Sequence, residues 1–107
     1  MTSRATPTPL PVRRALRETS QHLSDWRRLQ GLTIDQVADR AGVSLATLNR
    51  IENGRGASFE SILRVARALG VLDRVIAAFD PSETDVGRMR AIASLPTRIR
   101  RSRDEQP

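Results

Sequence analysis

Apolar residues recur along this chain at helical rather than strand spacing, and capping residues cut the pattern into segments. Leu16, Leu23 and Trp26 fall near one face of a segment over residues 16–30, with Gly31 as its C-terminal stop. Thr33-Ile34-Asp35-Gln36 has the Thr-x-x-Gln form of a capping box, in which the Thr33 hydroxyl accepts from the N–H three residues on while Gln36 reaches back. It predicts a second helix running to about Arg40. Gly42 supplies the positive φ of a tight turn, and Ser44 is the N-cap of a third helix with Leu48 and Ile51 inward, ending at Asn53-Gly54. Ser58 opens a fourth helix, whose apolar set Phe59, Ile62, Leu63, Ala66 and Leu69 closes at Gly70. Val71, Leu72, Val75, Ile76 and Phe79 form a fifth stripe before Pro81. No stretch alternates apolar and polar residues as a strand would, so the expected fold is all-α with five helices.

The ends read differently. Three prolines alternate in Thr6-Pro7-Thr8-Pro9-Leu10-Pro11, which removes backbone donors and favours an extended, solvated chain. Residues 1–15 are accordingly expected to be a flexible N-terminal arm and residues 16–80 the folded domain. Residues 81–107 are expected to be an extension, partly helical and then a flexible tail carrying Arg98, Arg100, Arg101 and Arg103. A helical domain of about 60 residues buries only roughly 60% of the surface that its unfolded chain exposes, so a partner surface would help it.

Composition narrows the chemistry. The 107 residues include 18 basic residues, all Arg, against 12 acids, for a net charge of +6. With no Cys and a single histidine, His22, neither a disulfide framework nor a metal site is expected, and His22 is read as an exposed helix residue. No cofactor is expected. The longest apolar run, Val75 to Phe79, is far short of the ~20 residues of a membrane helix, and the start has no signal-peptide core. The expectation is a soluble, cytoplasmic chain. Trp26, Phe59 and Phe79 are too few to form a stacking platform for single strands. No paired nucleophile and base, phosphate-cradling glycine loop or metal constellation argues for an enzyme. The basic excess points instead to a polyanion. It is uneven: residues 1–17 hold four Arg and no acid, whereas residues 18–79 hold eight basic and seven acidic residues. Arg64 and Arg67 are read as a solvated face without a role.

The informative stretch is Gln36-Val37-Ala38-Asp39-Arg40-Ala41-Gly42-Val43-Ser44-Leu45-Ala46-Thr47-Leu48-Asn49-Arg50-Ile51. Ala38 is small enough for two helices to cross closely, Gly42 permits left-handed φ, and Val37, Val43, Leu48 and Ile51 form a wedge that sets the crossing angle. The wedge leaves one face of the third helix free. This stretch resembles the helix-turn-helix of the Xre family, the lambda-repressor-like regulators. Trp26-Arg27-Arg28, Gly31-Leu32-Thr33, Arg50-Ile51-Glu52-Asn53-Gly54-Arg55 and Ala66-Arg67-Ala68-Leu69-Gly70 extend the resemblance over roughly residues 20–79.

The resemblance implies that Ser44, Leu45, Ala46, Thr47, Asn49 and Arg50 read bases in the major groove of double-stranded DNA. Arg50 is the leading candidate, because a guanidinium donates two parallel bonds to guanine, whereas Leu45 and Ala46 offer apolar contact to thymine methyls. Thr33, Asn53 and Arg55, with adjacent loop amides, are candidates for phosphate contact. Arg27 and Glu52 match positions that form an internal ion pair in lambda-type repressors. Leu72, Val75, Ile76 and Phe79 either close the core or form a dimer seam. Together these features suggest a transcriptional regulator, read as a repressor, acting as a homodimer on a palindromic operator. The alternative is an antitoxin resembling the HipB type, which binds a protein toxin and represses its own operon. Its motive is the extension from Thr84 to Ala93 and the Arg-rich tail, which a minimal DNA-binding domain does not require.

Overall fold

The computed structural model describes residues 6–94. Among them are six α-helices and one 3-10 turn, with no strand. The helices are α1 (Leu10–Leu29), α2 (Ile34–Ala41), α3 (Leu45–Glu52), α4 (Phe59–Ala68), α5 (Leu72–Phe79) and α6 (Asp85–Ser94), with the 3-10 turn at Pro81–Glu83. Six helices thus stand where five were expected: α2 to α5 lie at the expected positions, α1 begins earlier, and α6 falls within residues 81–107. None of the helices is long and apolar enough to cross a membrane. The expected Arg tail, with Arg98 to Arg103, lies outside the described residues. The chain divides into two compact units, Met1–Leu72 and Asp73–Pro107.

In the first unit, α1 starts at Leu10, so residues 10–15 are helical rather than part of an arm. The prolines that suggested an arm are compatible with a helix start. Pro9 is the N-cap in an extended conformation and Pro11 stands in the first turn, where no N–H has an intrahelical acceptor to lose. The Val12 and Arg13 amides donate to the Pro9 carbonyl at 3.0 and 3.1 Å, closing that first turn. Residues 1–5 of the expected arm lie outside the described residues.

The core of this unit is aliphatic and small. Val37, Ala38, Ala41, Leu48, Ile51, Val65, Ala66 and Leu69 are buried, and Leu23 joins them from α1. α2 packs on α3 and α4, and α3 also packs on α1. On α4 the buried residues are Val65 and Ala66, followed by Leu69 at its cap, while Phe59 at its start is more than half exposed. The buried face of α4 is thus turned toward Val65 and away from Phe59, relative to the stripe of Phe59, Ile62, Leu63, Ala66 and Leu69 that the spacing predicts. On α1, Ser20 and Ser24 are buried while Leu16 and Trp26 are only half-buried. The small Ser20 side chain lets Gly54 approach the α1 backbone, and its hydroxyl is satisfied by donating to the Arg17 carbonyl at 2.8 Å. The Gln30 side chain donates to the Leu69 carbonyl at 2.8 Å, tying the end of α1 to the end of α4.

The second unit contains most of α5, the 3-10 turn and α6. The Asp80 side chain accepts from the Ser82 amide at 2.9 Å and Thr84 Oγ1 from the Gly87 amide at 2.9 Å, so each short element has its own cap. Arg88 donates to the Ser82 carbonyl at 2.7 Å and pairs with Asp85. No residue of α5 or α6 is buried. On α5, Leu72 and Val75 are half-buried, whereas Ile76 and Phe79 are exposed.

Candidate nucleic-acid interface

The α2–turn–α3 segment is set by local hydrogen bonds. Thr33 Oγ1 accepts from the Gln36 amide at 3.1 Å and Gln36 Oε1 accepts from the Thr33 amide at 2.8 Å, a complete capping box at the start of α2. At its end Gly42 adopts φ 69°, and the Val43 and Gly42 amides donate to the Ala38 and Asp39 carbonyls at 3.1 and 3.2 Å. This is the double hydrogen bond of a left-handed helix cap, and a Cβ at Gly42 would also lie 3.0 Å from Arg64 Nη1. Ser44 then caps α3 by accepting from the Thr47 amide at 3.0 Å.

The first turn of α3 and its buried wedge decide which side chains face outward. Leu48 and Ile51 are 1% and 3% exposed and hold the inner face, with Val37 and half-buried Val43 beside them. At 3.6 residues per turn, Leu45, Asn49, Ala46 and Arg50 fall within an arc of about 140° on the opposite side. All four are exposed. Thr47 lies on the flank, half-buried, and its Oγ1 accepts from the Ser44 hydroxyl at 2.9 Å. Of the six residues singled out on this helix, four thus share one free face, while Ser44 and Thr47 are engaged with each other in the cap.

Around this face stand the other candidates. Thr33, Asn53 and Arg55 are all exposed. The backbone amides near them are occupied: the Thr33 amide by Gln36, and the Gly54 and Arg55 amides by the Ile51 and Arg50 carbonyls at 3.1 and 2.9 Å. A phosphate meeting this loop would therefore find the Asn53 and Arg55 side chains rather than those amides.

Arg27 and Glu52 form a two-pronged pair, Nε to Oε2 at 2.8 Å and Nη2 to Oε1 at 3.1 Å. Arg27 Nη1 also donates to the Leu32 carbonyl at 3.0 Å. Both side chains are 11% exposed. The hydrogen bonds to Glu52 raise the guanidinium pKa above its already high ordinary value, with burial working in the opposite direction. Three of the five guanidinium N–H groups, one on each nitrogen, are thereby engaged within the protein, which ties α1 to the end of α3 and to the loop before α2. Arg27 is a positioning residue rather than a free cation.

Two features of this region were not read from the sequence. Arg17 on α1 lies against Gly54: a Cβ there would be 3.4 Å from its Cα and Cγ. Arg64 reaches the Gly42 turn and is paired with Glu60 at 3.1 Å. Both are contacts between elements far apart in the chain; the only sequence signal for the first was the acid-free run of arginines before residue 18. His22 is exposed, and among the described residues no group of three or more His, Cys, Asp or Glu could hold a metal ion.

No curated protein and no solved structure matches the chain. A family model described as Helix-turn-helix matches residues 14–73, more than half of its length, and takes in α2, the Gly42 turn and α3 together with the helices that support them. With that match laid over a capped, glycine-turned helix pair, the chain belongs to the Xre-like helix-turn-helix family of DNA-binding regulators.

Proposed function

We propose that the protein is a sequence-specific repressor that acts in the cytoplasm, inserting α3 into the major groove of an operator, and that it has no enzymatic activity of its own. The observation that carries this reading is the division of α3 into a wedged inner face and an exposed outer arc of Leu45, Ala46, Asn49 and Arg50. Arg50 is the principal base reader, with Asn49 second and Leu45 and Ala46 in apolar contact with thymine methyls. Ser44 and Thr47 shape the helix start, and either hydroxyl can still meet a base or phosphate through its remaining hydrogen-bonding capacity. Thr33, Asn53 and Arg55 grip phosphates and set register.

A single reading helix spans only a few base pairs, so the reading includes a homodimer on a two-fold symmetric site with half-sites about 34 Å apart. The exposed Ile76 and Phe79, with Leu72 and Val75 on the same helix, form its seam. Selection of bound sequences from random duplexes, followed by binding at fixed salt, tests the assignment. Arg50→Ala is expected to cost about 1–3 kcal/mol at one base position and to relax preference there. Arg55→Ala is expected to weaken all sequences alike. Equal effects from the two changes would contradict the roles, and a footprint without a symmetric partner half-site would refute the dimer.

One observation favours a second reading, an antitoxin that also holds a protein toxin: Val86, Met89 and Ile92 on α6 are 62%, 71% and 87% exposed. Co-purification with the product of a neighbouring gene distinguishes it. Purification of the chain alone, with unchanged growth after removal of residues 81–107, would count against it.

A further inference from the structure

The N-terminal half of α1 carries a basic face that the reading above leaves without a role. Where α1 packs into the bundle, its inward side presents Leu16, Ser20 and Leu23. Beside that side and nearer the helix start stand exposed arginines: Arg13, Arg17 and Ser20 lie within about 60° of one another around the helix axis. The position of that face is fixed by Gly54. A Cβ on Gly54 would lie 3.4 Å from Arg17 Cα and Cγ and 3.5 Å from Ser20 Oγ, so the Asn53–Gly54–Arg55 loop rests directly on α1 at Arg17. Gly54 holds φ 71°, which a side chain there would strain.

We infer that Arg13 and Arg17 extend the phosphate-binding surface from the Asn53–Arg55 loop along α1, gripping backbone phosphates that flank the segment read by α3. The inference rests on the DNA-binding reading and deepens it. Three observations support it. Arg13, Arg14 and Arg17 are exposed, and none forms a salt bridge with another described residue. Residues 1–17 hold four of the six net positive charges of the chain and no acid, unlike residues 18–79, where acids offset nearly every Arg as on an ordinary solvated face. Arg17 also packs against Gly54, the chain neighbour of Arg55, which places α1 beside the loop already assigned to phosphate. Four residues along the helix axis is a step of about 6 Å, enough to carry the grip one or two phosphates onward at about 3.4 Å of duplex per phosphate on each strand.

Fluorescence anisotropy with the full chain on the selected duplex and on a mixed-sequence duplex, over about 50–200 mM salt, tests this. The double variant R13Q/R17Q is expected to lower the slope of log affinity against log salt by about 1.8, and R13Q alone, at an exposed position four residues from Arg17, by about 0.9. The ranking of sequences should not change, and R13K/R17K should restore the slope. An unchanged slope in R13Q, with wild-type binding intact, overturns the inference alone. Failure of the wild-type chain to bind any duplex at low salt overturns the DNA-binding reading itself. Binding of the wild-type chain to anionic phospholipid vesicles that is lost in R13Q/R17Q, while the DNA slope stays unchanged, would assign the face to a lipid surface and also overturn it.

Discussion

α3 and α6 are short helices of eight and ten residues, yet the chain treats them in opposite ways. α3 has Leu48 and Ile51 almost wholly buried, so its backbone is held and its outer arc is a fixed surface. α6 buries nothing; Val86, Met89 and Ile92 stand in solvent, and what orders it is the Thr84 cap and the Arg88 bonds to the 3-10 turn. Exposure therefore means different things in the two places. On α3 it is the free side of an anchored helix, suited to reading a rigid partner such as a duplex. On α6 it is apolar area that the described residues of this chain do not cover.

The contrast can be broken by substitution, beginning where the effect is largest. Leu48→Ala removes a filled core position and is expected to cost about 2–5 kcal/mol in urea unfolding; a loss below about 1 kcal/mol would mean that α3 is not anchored as described. Arg27→Ala leaves Glu52 in a mostly covered site and is expected to cost about 3 kcal/mol, while replacing both partners by apolar residues should recover most of that loss. Gly42→Ala places a side chain at left-handed φ, for an expected loss of about 1–2 kcal/mol in the same assay. Ser44→Ala removes the α3 cap and is expected to cost about 1 kcal/mol, measured as a lower melting temperature. Smallest of all, Ile92→Ser on α6 is expected to stay within about 0.5 kcal/mol. A loss as large as that of Leu48→Ala would show that α6 is covered in solution, and the contrast would fail.

Much of the site was legible in the chain because it is built from local devices. The Thr33 and Gln36 box, the Gly42 turn and the Ser44 cap each satisfy backbone groups within a few residues, so the residue types alone announce them. The face of α3 followed from two inward residues and the helical period. Less legible was the start of α1. Alternating prolines read equally well as extended chain and as a helix entrance, and the difference lies in whether the residues after them remain helical. The centre of the α4 stripe was misplaced for a related reason: Phe59 is large and apolar but stands at the helix start, where the bundle covers it only in part.

The residue order accordingly specifies α2 to α5 and most of α1, the Thr33, Ser44 and Ser58 caps and the Gly42 turn, and the family to which the chain belongs, since each rests on short-range interactions between neighbouring groups. The three-dimensional packing settled the rest. It put Ser20 and Ser24 rather than larger residues against the bundle, turned all three nitrogens of Arg27 to acceptors on Glu52 and Leu32, and laid the Gly54 loop on Arg17. Those outcomes depend on which surfaces of distant segments fit together at close range, and one-dimensional spacing carries no measure of that fit.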